Sequence, residues 1–261
     1  MKRLLACVMA LAAAAVQAAP LRVCADPDNL PYSRADGSGF ENRIAQLVAD
    51  DFGVALEYAW LPDLRGFVRK TMGAGLCDVI IGVPVSFGRT LNTRPYYRSS
   101  YVLVLPVGAA PAPASFADPR LARWRVGVQL IGDDAAASPP GHALAQAGVT
   151  ANVVGYPVAG DRPAAARMLE ALDRGELDAA FAWGPQAGYY ARGAARNLRL
   201  YEIPPPAALK DQPFRFAIAM GVRRGDQALR ARLDDFIARR QADIDRILAD
   251  YGVPRVGEGV P

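Results

Sequence analysis

The stretch that decides the fold runs from Leu76 to Pro106 and reads LCDVIIGVPVSFGRTLNTRPYYRSSYVLVLP. Its first apolar run, Val79 to Ile81, is typical of a strand buried on both faces of a parallel sheet. We expect Gly82 and Pro84 to end that strand before a polar loop. A second apolar run, Tyr101 to Leu105, leads the chain away. Because α/β sheets bind ligands at strand ends, this stretch predicts one side of a cleft and a first crossing to a second lobe.

Strand and helix patterns alternate on both sides of this stretch. Leu21 to Ala25 reads as a strand, and a helix with one apolar face follows it and ends at Gly53. After an irregular connection between Val107 and Pro119, the alternation restarts at Trp124. This order predicts an α/β fold with mostly parallel sheets.

The two halves of the chain contain similar segments. MGAGLCDVIIGVP, at 72–84, and LDRGELDAAFAWGP, at 172–185, share a glycine, an aspartate, an apolar strand, and a final Gly and Pro. We therefore predict two lobes of similar size that form a hinged clamp. The first lobe is assigned to residues 19–105 plus 217–261, and the second to residues 106–216.

Residues 1–18 are predicted to be a cleavable signal peptide. Lys2 and Arg3 precede an apolar run that ends at Val16-Gln17-Ala18. Export would deliver the mature chain to the periplasm. Loss of the two basic residues lowers the net charge from +4 to +2, which gives no indication of a nucleic-acid partner. No later apolar run is long enough to span a membrane.

Two cysteines, Cys24 and Cys77, remain in the mature chain, and their pairing is open at this point. An oxidising compartment favours a disulfide. Cys24 is expected late in its strand and Cys77 at the start of its own, so an offset of roughly 10 Å between the two residues opposes the bond if the strands are parallel neighbours. There is no CxxC motif and His142 is the only histidine, so we expect no metal site and no cofactor. A nucleophile elbow and a glycine-rich phosphate loop are also missing, so an enzyme is the least expected class.

The mature chain resembles type II periplasmic binding proteins of the polar amino-acid kind, family 3. The resemblance is carried by LPY at 30–32, GFE at 39–41 and VGVQ at 126–129. It implies a two-lobed type II periplasmic binding protein fold. Each lobe would then be a mostly parallel sheet with helices on both faces.

Longer motifs, in the same order along nearly the whole mature chain, resemble the quinoprotein dehydrogenase-associated proteins of the MxaJ/XoxJ type. They include LRVCADPDNLPYS, GFENRIA, GLCDVIIGVP, TRPYYRSSYV, AWGPQAGYYA and IDRILADYGVPR. This resemblance implies a periplasmic accessory that matures or activates a PQQ-dependent methanol or alcohol dehydrogenase. Its cleft would grip protein. Its partner would be the dehydrogenase, and the cytochrome c of that enzyme is a second candidate partner.

The chain departs from the amino-acid receptors at the positions that hold their ligand. Trp183 stands where those receptors have an aspartate for the ligand ammonium, and it offers an apolar face and one N–H donor. Asp133 and Asp134 stand where a Gly-Thr pair would hold the carboxylate, and aspartates repel that group. We therefore expect free α-amino acids to bind poorly.

Residues predicted to line the cleft are taken from the strand ends and the loops after them. The aspartates of the predicted set, together with Asp28, could instead cap turns and helices. Its one arginine, Arg89, could instead be solvated. The predicted set is Asp26, Tyr32, Pro84, Ser86, Arg89, Tyr96, Tyr97, Gln129, Asp133, Asp134, Trp183 and Pro185.

A second function stays open beside the accessory role. The fold alone suggests a solute receptor that delivers a small ligand, other than a free α-amino acid, to an ABC transporter. A compact pocket with converging polar groups would favour the receptor, whereas a wide aromatic cleft would favour the accessory. A metal or redox factor bound in the cleft is a third, weaker alternative.

Overall fold

Helices and strands alternate along the chain as the apolar pattern predicts. The structure, a computed structural model, describes residues 19–109, 111–131, 136–157, 162–194, 197–209 and 211–256. The predicted signal peptide lies outside the described residues. Within them, no helix is both long and apolar enough to cross a membrane.

The N-terminal part of the chain provides seven strands and two helices among the described residues. The strands are β1 (Leu21–Ala25), β2 (Asp28–Asn29), β3 (Ser33–Arg34), β4 (Leu56–Trp60), β5 (Val79–Pro84), β6 (Leu91–Asn92) and β7 (Tyr97–Pro106). The helices are α1 (Phe40–Phe52) and α2 (Phe67–Lys70).

The rest of the chain continues the alternation. Its strands are β8 (Val126–Ile131), β9 (Ala136–Ala137), β10 (Val153–Tyr156), β11 (Ala179–Trp183), β12 (Leu198–Tyr201) and β13 (Arg215–Val222). Its helices are α3 (Pro139–Gln146), α4 (Ala164–Asp173), α5 (Gly184–Ala191) and α6 (Gln227–Asp250). Helix α5 was not predicted, because Gly184 and Pro185 were interpreted only as the end of a strand.

The strands form one hydrogen-bonded path in the order β10-β8-β11-β7-β13-β5-β1-β4. The first sheet region comprises β4, β1 and β5, which are parallel, and β13, which is antiparallel to β5. In the second sheet region β10, β8 and β11 are parallel, and β7 and β12 complete it. Both regions are therefore mostly parallel, as predicted.

Strand β7 joins the two sheet regions by changing partners along its length. Residues 97–100 pair with Arg215–Ile218 of β13, whereas residues 101–106 pair with β11 and β12. The predicted crossing at Tyr101 to Leu105 therefore already lies in the second region, and the change of partner comes just before it. The lobe boundaries at 105 and 216 remain a prediction.

Apolar side chains alternate between the two faces of each sheet region. In β7, Leu103 and Leu105 join the core cluster beneath α3, whereas Val102 and Val104 join the cluster beneath α4 and α5. In β5, Val79 and Ile81 face the α1 and α6 side, and Ile80 faces the side of α2. Both faces are thus covered, which explains the continuous apolar runs of these strands.

The helices begin and end where the sequence provides the signals. Helix α1 buries Phe40, Ile44 and Val48 and stops at Gly53, whose φ of 67° favours glycine. Helix α6 begins at Asp226, whose side chain accepts a hydrogen bond from the Leu229 N–H at 3.0 Å.

The internal similarity extends to matching ion pairs. Arg22 binds both carboxylate oxygens of Asp78, at 3.0 and 2.8 Å, and donates to the Gly75 carbonyl. Arg125 likewise binds both carboxylate oxygens of Asp178, at 3.1 and 2.9 Å, and donates to the Gly175 carbonyl. Both aspartates precede the central strand of their region, and the arginine holds the pKa of each below its usual range.

Cys24 and Cys77 form a disulfide, with their Cα atoms 5.4 Å apart. The geometric argument against pairing was wrong, because it assumed that Cys77 begins its strand. Strand β5 starts only at Val79, and the Asp78 N–H bonds to the Arg22 carbonyl at 2.7 Å. The segment before β5 therefore brings Cys77 back over β1.

Candidate functional site

A cavity of about 420 Å³ opens between the two sheet regions. The ends of β5 and β11, which the internal similarity predicts to face each other, both reach it. Its walls also include the loop after β1, the first turn of α1, and parts of β7, β8 and β13. The lining residues are Asp26, Asn29, Tyr32, Ser33, Glu41, Asp63, Phe67, Ile80, Gly82, Pro84, Tyr97, Tyr101, Gln129, Trp183, Gln186, Phe216 and Ile218.

Three aromatic rings form one wall of the cavity. The Trp183 ring lies 5.3 Å from the Tyr101 ring and 5.5 Å from the Phe216 ring, both in edge-to-face geometry. Trp183 is only partly buried, and burial raises the pKa of Tyr101 to about 12. This arrangement offers an apolar surface with aromatic edges and faces, which suits an apolar or cationic group.

Glu41 is placed in the cavity by the start of α1. The Phe40 N–H donates to the Pro31 carbonyl and the Glu41 N–H to the Tyr32 carbonyl, both at 2.8 Å. This close approach needs Gly39, because a Cβ there would overlap the Tyr32 carbonyl. The loop after β1 is thereby fixed on the first turn of the helix.

The Glu41 carboxyl group lies against Gly82 at the end of β5. Burial raises its pKa to about 8, and the negative charge of Asp63 contributes in the same direction. No hydrogen-bond donor or cation among the described residues pairs with this carboxyl group. Glu41 is therefore largely protonated at neutral pH when the cavity is empty.

Asp26 has a structural role at the mouth of the cavity. One of its carboxylate oxygens accepts from the Asp28 N–H at 2.8 Å, and the other accepts from the Asp63 N–H at 2.7 Å. The side chain thus holds the loop after β1 to the loop after β4. Burial, and then the charge of Asp26, raises the pKa of Asp63.

Gln129 and Gln186 face the cavity from the second sheet region. The Gln129 amide N–H donates to Gln186 Oε1 at 3.1 Å. Gln129 Oε1 is buried and has no hydrogen-bond partner among the described residues. It has no exposed surface, so it can accept from a bound group only after the side chain rotates.

Half of the predicted cleft residues line this cavity. The structure brings together residues from both halves of the chain, as the internal similarity led us to expect. They are Asp26, Tyr32, Pro84, Tyr97, Gln129 and Trp183.

The other predicted residues lie elsewhere or outside the described part of the chain. Tyr96 is buried in the core of the first sheet region, because its backbone pairs with Ile218 and turns the ring inward. Pro185 is buried in the first turn of α5. Ser86 and Arg89 are exposed on the loop after β5. Asp133 and Asp134 lie outside the described residues.

Sequence reasoning missed several cavity residues. Glu41 was recognised only as part of the GFE motif, because an acidic residue in a first turn usually reads as helix capping. Tyr101 and Phe216 were assigned to crossings, and their side-chain direction depends on strand register. Gln186 lies on α5, which had not been predicted. Among the described residues, no group of three or more His, Cys, Asp or Glu side chains is placed to hold a metal.

The chain is similar to known proteins of comparable length. The model of the bacterial extracellular solute-binding protein family matches residues 83–253. Protein MoxJ of Methylorubrum extorquens is 32% identical over 93% of this chain and 83% of its own length.

Solved structures agree with this assignment. The periplasmic binding protein XoxJ from Methylobacterium extorquens AM1 superposes with a TM-score of 0.76 at 35% identity, over 91% of this chain and 100% of that one. MxaJ from Methlophaga aminisulfidivorans MPT has the same TM-score at 24% identity, over 90% of this chain and 100% of that one, and supports the fold alone. The chain therefore belongs to the bacterial extracellular solute-binding proteins, in the group that contains MoxJ and XoxJ.

Proposed function

We propose that this protein is a periplasmic accessory of a PQQ-dependent methanol or alcohol dehydrogenase, which it helps to mature or activate. Its place among the MoxJ and XoxJ proteins supports this role, as do the motifs of the MxaJ/XoxJ type along the chain. It acts as a binding protein and performs no reaction of its own.

The observation that carries the proposal is the position of Trp183. This residue ends β11 at the cavity wall, next to Tyr101 and Phe216. It replaces the aspartate with which amino-acid receptors hold their ligand, and it supplies an aromatic surface in its place. Partly buried tryptophans flanked by aromatic residues are frequent anchors in protein interfaces.

The experiment is recovery of the protein with its partners from the periplasm. Tagged wild-type protein should recover a PQQ-dependent dehydrogenase, identified by mass spectrometry, and the cytochrome c of that enzyme is the second candidate partner. Trp183→Ala should lose the dehydrogenase, whereas Arg89→Ala, on the exposed loop after β5, should keep it. If the wild-type protein instead recovers the permease of an ABC transporter, the accessory role is wrong.

A second candidate is a solute receptor for a small ligand. The observation that favours it is the size of the cavity, since about 420 Å³ falls within the range of small-molecule sites. Under this alternative a ligand should co-purify with the protein and be released on unfolding. Mass spectrometry of the released fraction would identify it.

A further inference from the structure

The charged residues that line the cavity are all acidic. Asp26, Glu41 and Asp63 line it, and among the described lining residues there is no lysine, arginine or histidine. Asp26 already binds two backbone N–H groups. Glu41 and Asp63 are left without a cationic partner, so the cavity is matched to a ligand that brings positive charge.

Aromatic rings surround the Glu41 carboxyl group. Tyr32 and Tyr97 line the cavity beside it, and the Tyr32 ring packs 5.4 Å from that of Phe40. The aromatic wall of Tyr101, Trp183 and Phe216 lines the same cavity. Ring faces attract ammonium groups, and apolar substituents on such a group would pack on the same rings.

Gln129 provides an independent indication from the second sheet region. Its Oε1 atom is buried, lacks a partner and belongs to a residue of the cavity wall. A rotation of the side chain would turn this atom towards the cavity, where a ligand that donates N–H bonds would satisfy it. A carboxylate would add a negative charge to a cavity whose charged lining residues are all acidic.

We propose that the cavity binds an ammonium group with short apolar substituents, held by the Glu41 carboxylate, by Gln129 Oε1 and by the aromatic rings. Such a group has two sources, a free alkylamine or a lysine side chain of a partner protein. The ligand carries no carboxylate. This inference goes beyond the proposed function and can be tested on the protein alone.

Glu41 must ionise to pair with the cation, so binding should release a proton. The titratable groups that face Glu41 are Asp63, on the loop after β4, and four tyrosines on three further segments, namely Tyr32, Tyr58 and the adjacent pair Tyr96 and Tyr97. Burial raises the pKa of each tyrosine, so these rings stay neutral while Glu41 titrates. Affinity should therefore rise roughly tenfold per pH unit up to about pH 8.

The test uses three probes of nearly the same shape and different charge: tert-butylammonium, tert-butanol and pivalate. At pH 8, calorimetric or NMR titration of the purified protein should show tert-butylammonium binding at least tenfold more tightly than tert-butanol. Pivalate should not bind measurably. Equal affinity for the three probes, or a preference for pivalate, would overturn the proposal.

Glu41→Gln is the informative variant, because glutamine has the shape of the neutral acid. It should abolish the preference for tert-butylammonium and the proton release. Glu57→Gln is the matched control, since Glu57 is exposed on β4 and loses the same charge. An equal loss of preference in both variants would mean that net charge alone attracts the cation, which would overturn the assignment to Glu41.

The source of the ammonium group is resolved by adding the dehydrogenase. If saturating tert-butylammonium displaces the bound enzyme, a lysine side chain of the partner occupies the cavity. If the complex survives, a free amine does. The titrations themselves need no dehydrogenase, so their failure would refute the ammonium site and leave the proposed function standing.

Discussion

The Glu41 carboxyl group occupies the space beside Gly82 that any side chain at position 82 would need. Glu41 belongs to the first turn of α1, and Gly82 lies near the end of β5. A side chain of the GFE motif thus fills the space beside a glycine that lies about forty positions later in the chain. Because the carboxyl group is half-buried there without a cation among the described residues, its protonation is coupled to folding.

We predict that Glu41 makes stability fall as pH rises. The folded-state pKa of about 8 lies above the ordinary value of 4.5, so the folded protein retains a proton that the unfolded chain has lost. The stabilising contribution is full below about pH 4.5 and is lost as pH rises towards 8, at about 1.4 kcal/mol per pH unit. Glu41→Gln should remove this slope. Urea unfolding of both proteins at several pH values measures it.

The contribution of Asp63 does not obscure this comparison. The raised pKa of Asp63 gives a slope of the same sign, but that carboxyl group is present in both proteins. Only the difference between them reports on Glu41. Parallel pH profiles for wild type and Glu41→Gln would show that Glu41 is not buried as a neutral acid.

The disulfide should contribute substantially to stability. Cys24 and Cys77 are separated by 53 residues, so their bond restricts a long loop of the unfolded chain. The chain-entropy relation gives about 4 kcal/mol for such a loop. The Cys24→Ala/Cys77→Ala double variant should lose unfolding free energy of this order, measured by urea denaturation under oxidising conditions. No change on adding reductant to the wild type would contradict the prediction.

Much of the fold follows from the sequence, because the signals are local. Apolar runs buried on both faces predict the central strands, and Gly53 and Asp226 mark helix ends. Helix α5 was missed, since Gly184-Pro185 is as typical of a turn as of a helix start. The β7 crossing was placed slightly late, because strand pairing depends on register rather than on composition.

The site was less predictable than the fold, because strand register determines which side chains line it. Strand ends indicated where the cavity lies, and Trp183 and Pro84 were found in this way. Tyr96 and Tyr97 are adjacent in sequence and both pack in the core of the first sheet region, but only Tyr97 also lines the cavity, a difference that the register determines. The burial of Glu41 depends on Gly82, and no single motif contains both residues.

Free α-amino acids should not bind at micromolar concentrations. Their carboxylate would enter a cavity that holds Glu41 and Asp63 and whose described lining contains no cation. Arg89, which was predicted to line the cleft, is exposed and lies outside the cavity. Calorimetric titration with the common amino acids is the measurement. A dissociation constant near or below about 1 μM, or about −8 kcal/mol, would be incompatible with the account.

The two lobes should move as rigid bodies about β7 and β13. Among the contacts between them, the Tyr190 hydroxyl donates to the Leu30 carbonyl at 3.0 Å. Loss of one such bond costs about 1 kcal/mol, so Tyr190→Phe should raise the open population on the order of fivefold if opening is measurable. Small-angle scattering should show a larger radius of gyration. Unchanged scattering, together with identical lobe angles in two crystal forms, would contradict a hinge.

The central claim is that the cavity wall at Trp183 binds a quinoprotein dehydrogenase. Because Trp183 is only partly buried, its replacement should cost less unfolding free energy than the about 3–5 kcal/mol of a fully buried tryptophan. The effect on binding should be larger, since aromatic anchors often contribute 2 kcal/mol or more to an interface. Trp183→Phe, which keeps an aromatic ring, is the matched control.

The most direct measurement compares the affinity of the purified dehydrogenase for wild type, Trp183→Phe and Trp183→Ala, with the melting temperature of each protein. The account predicts that Trp183→Ala raises the dissociation constant at least tenfold while the protein stays folded at the assay temperature. Trp183→Phe should lie in between. A Trp183→Ala protein with a lowered melting temperature and unchanged affinity would contradict the account.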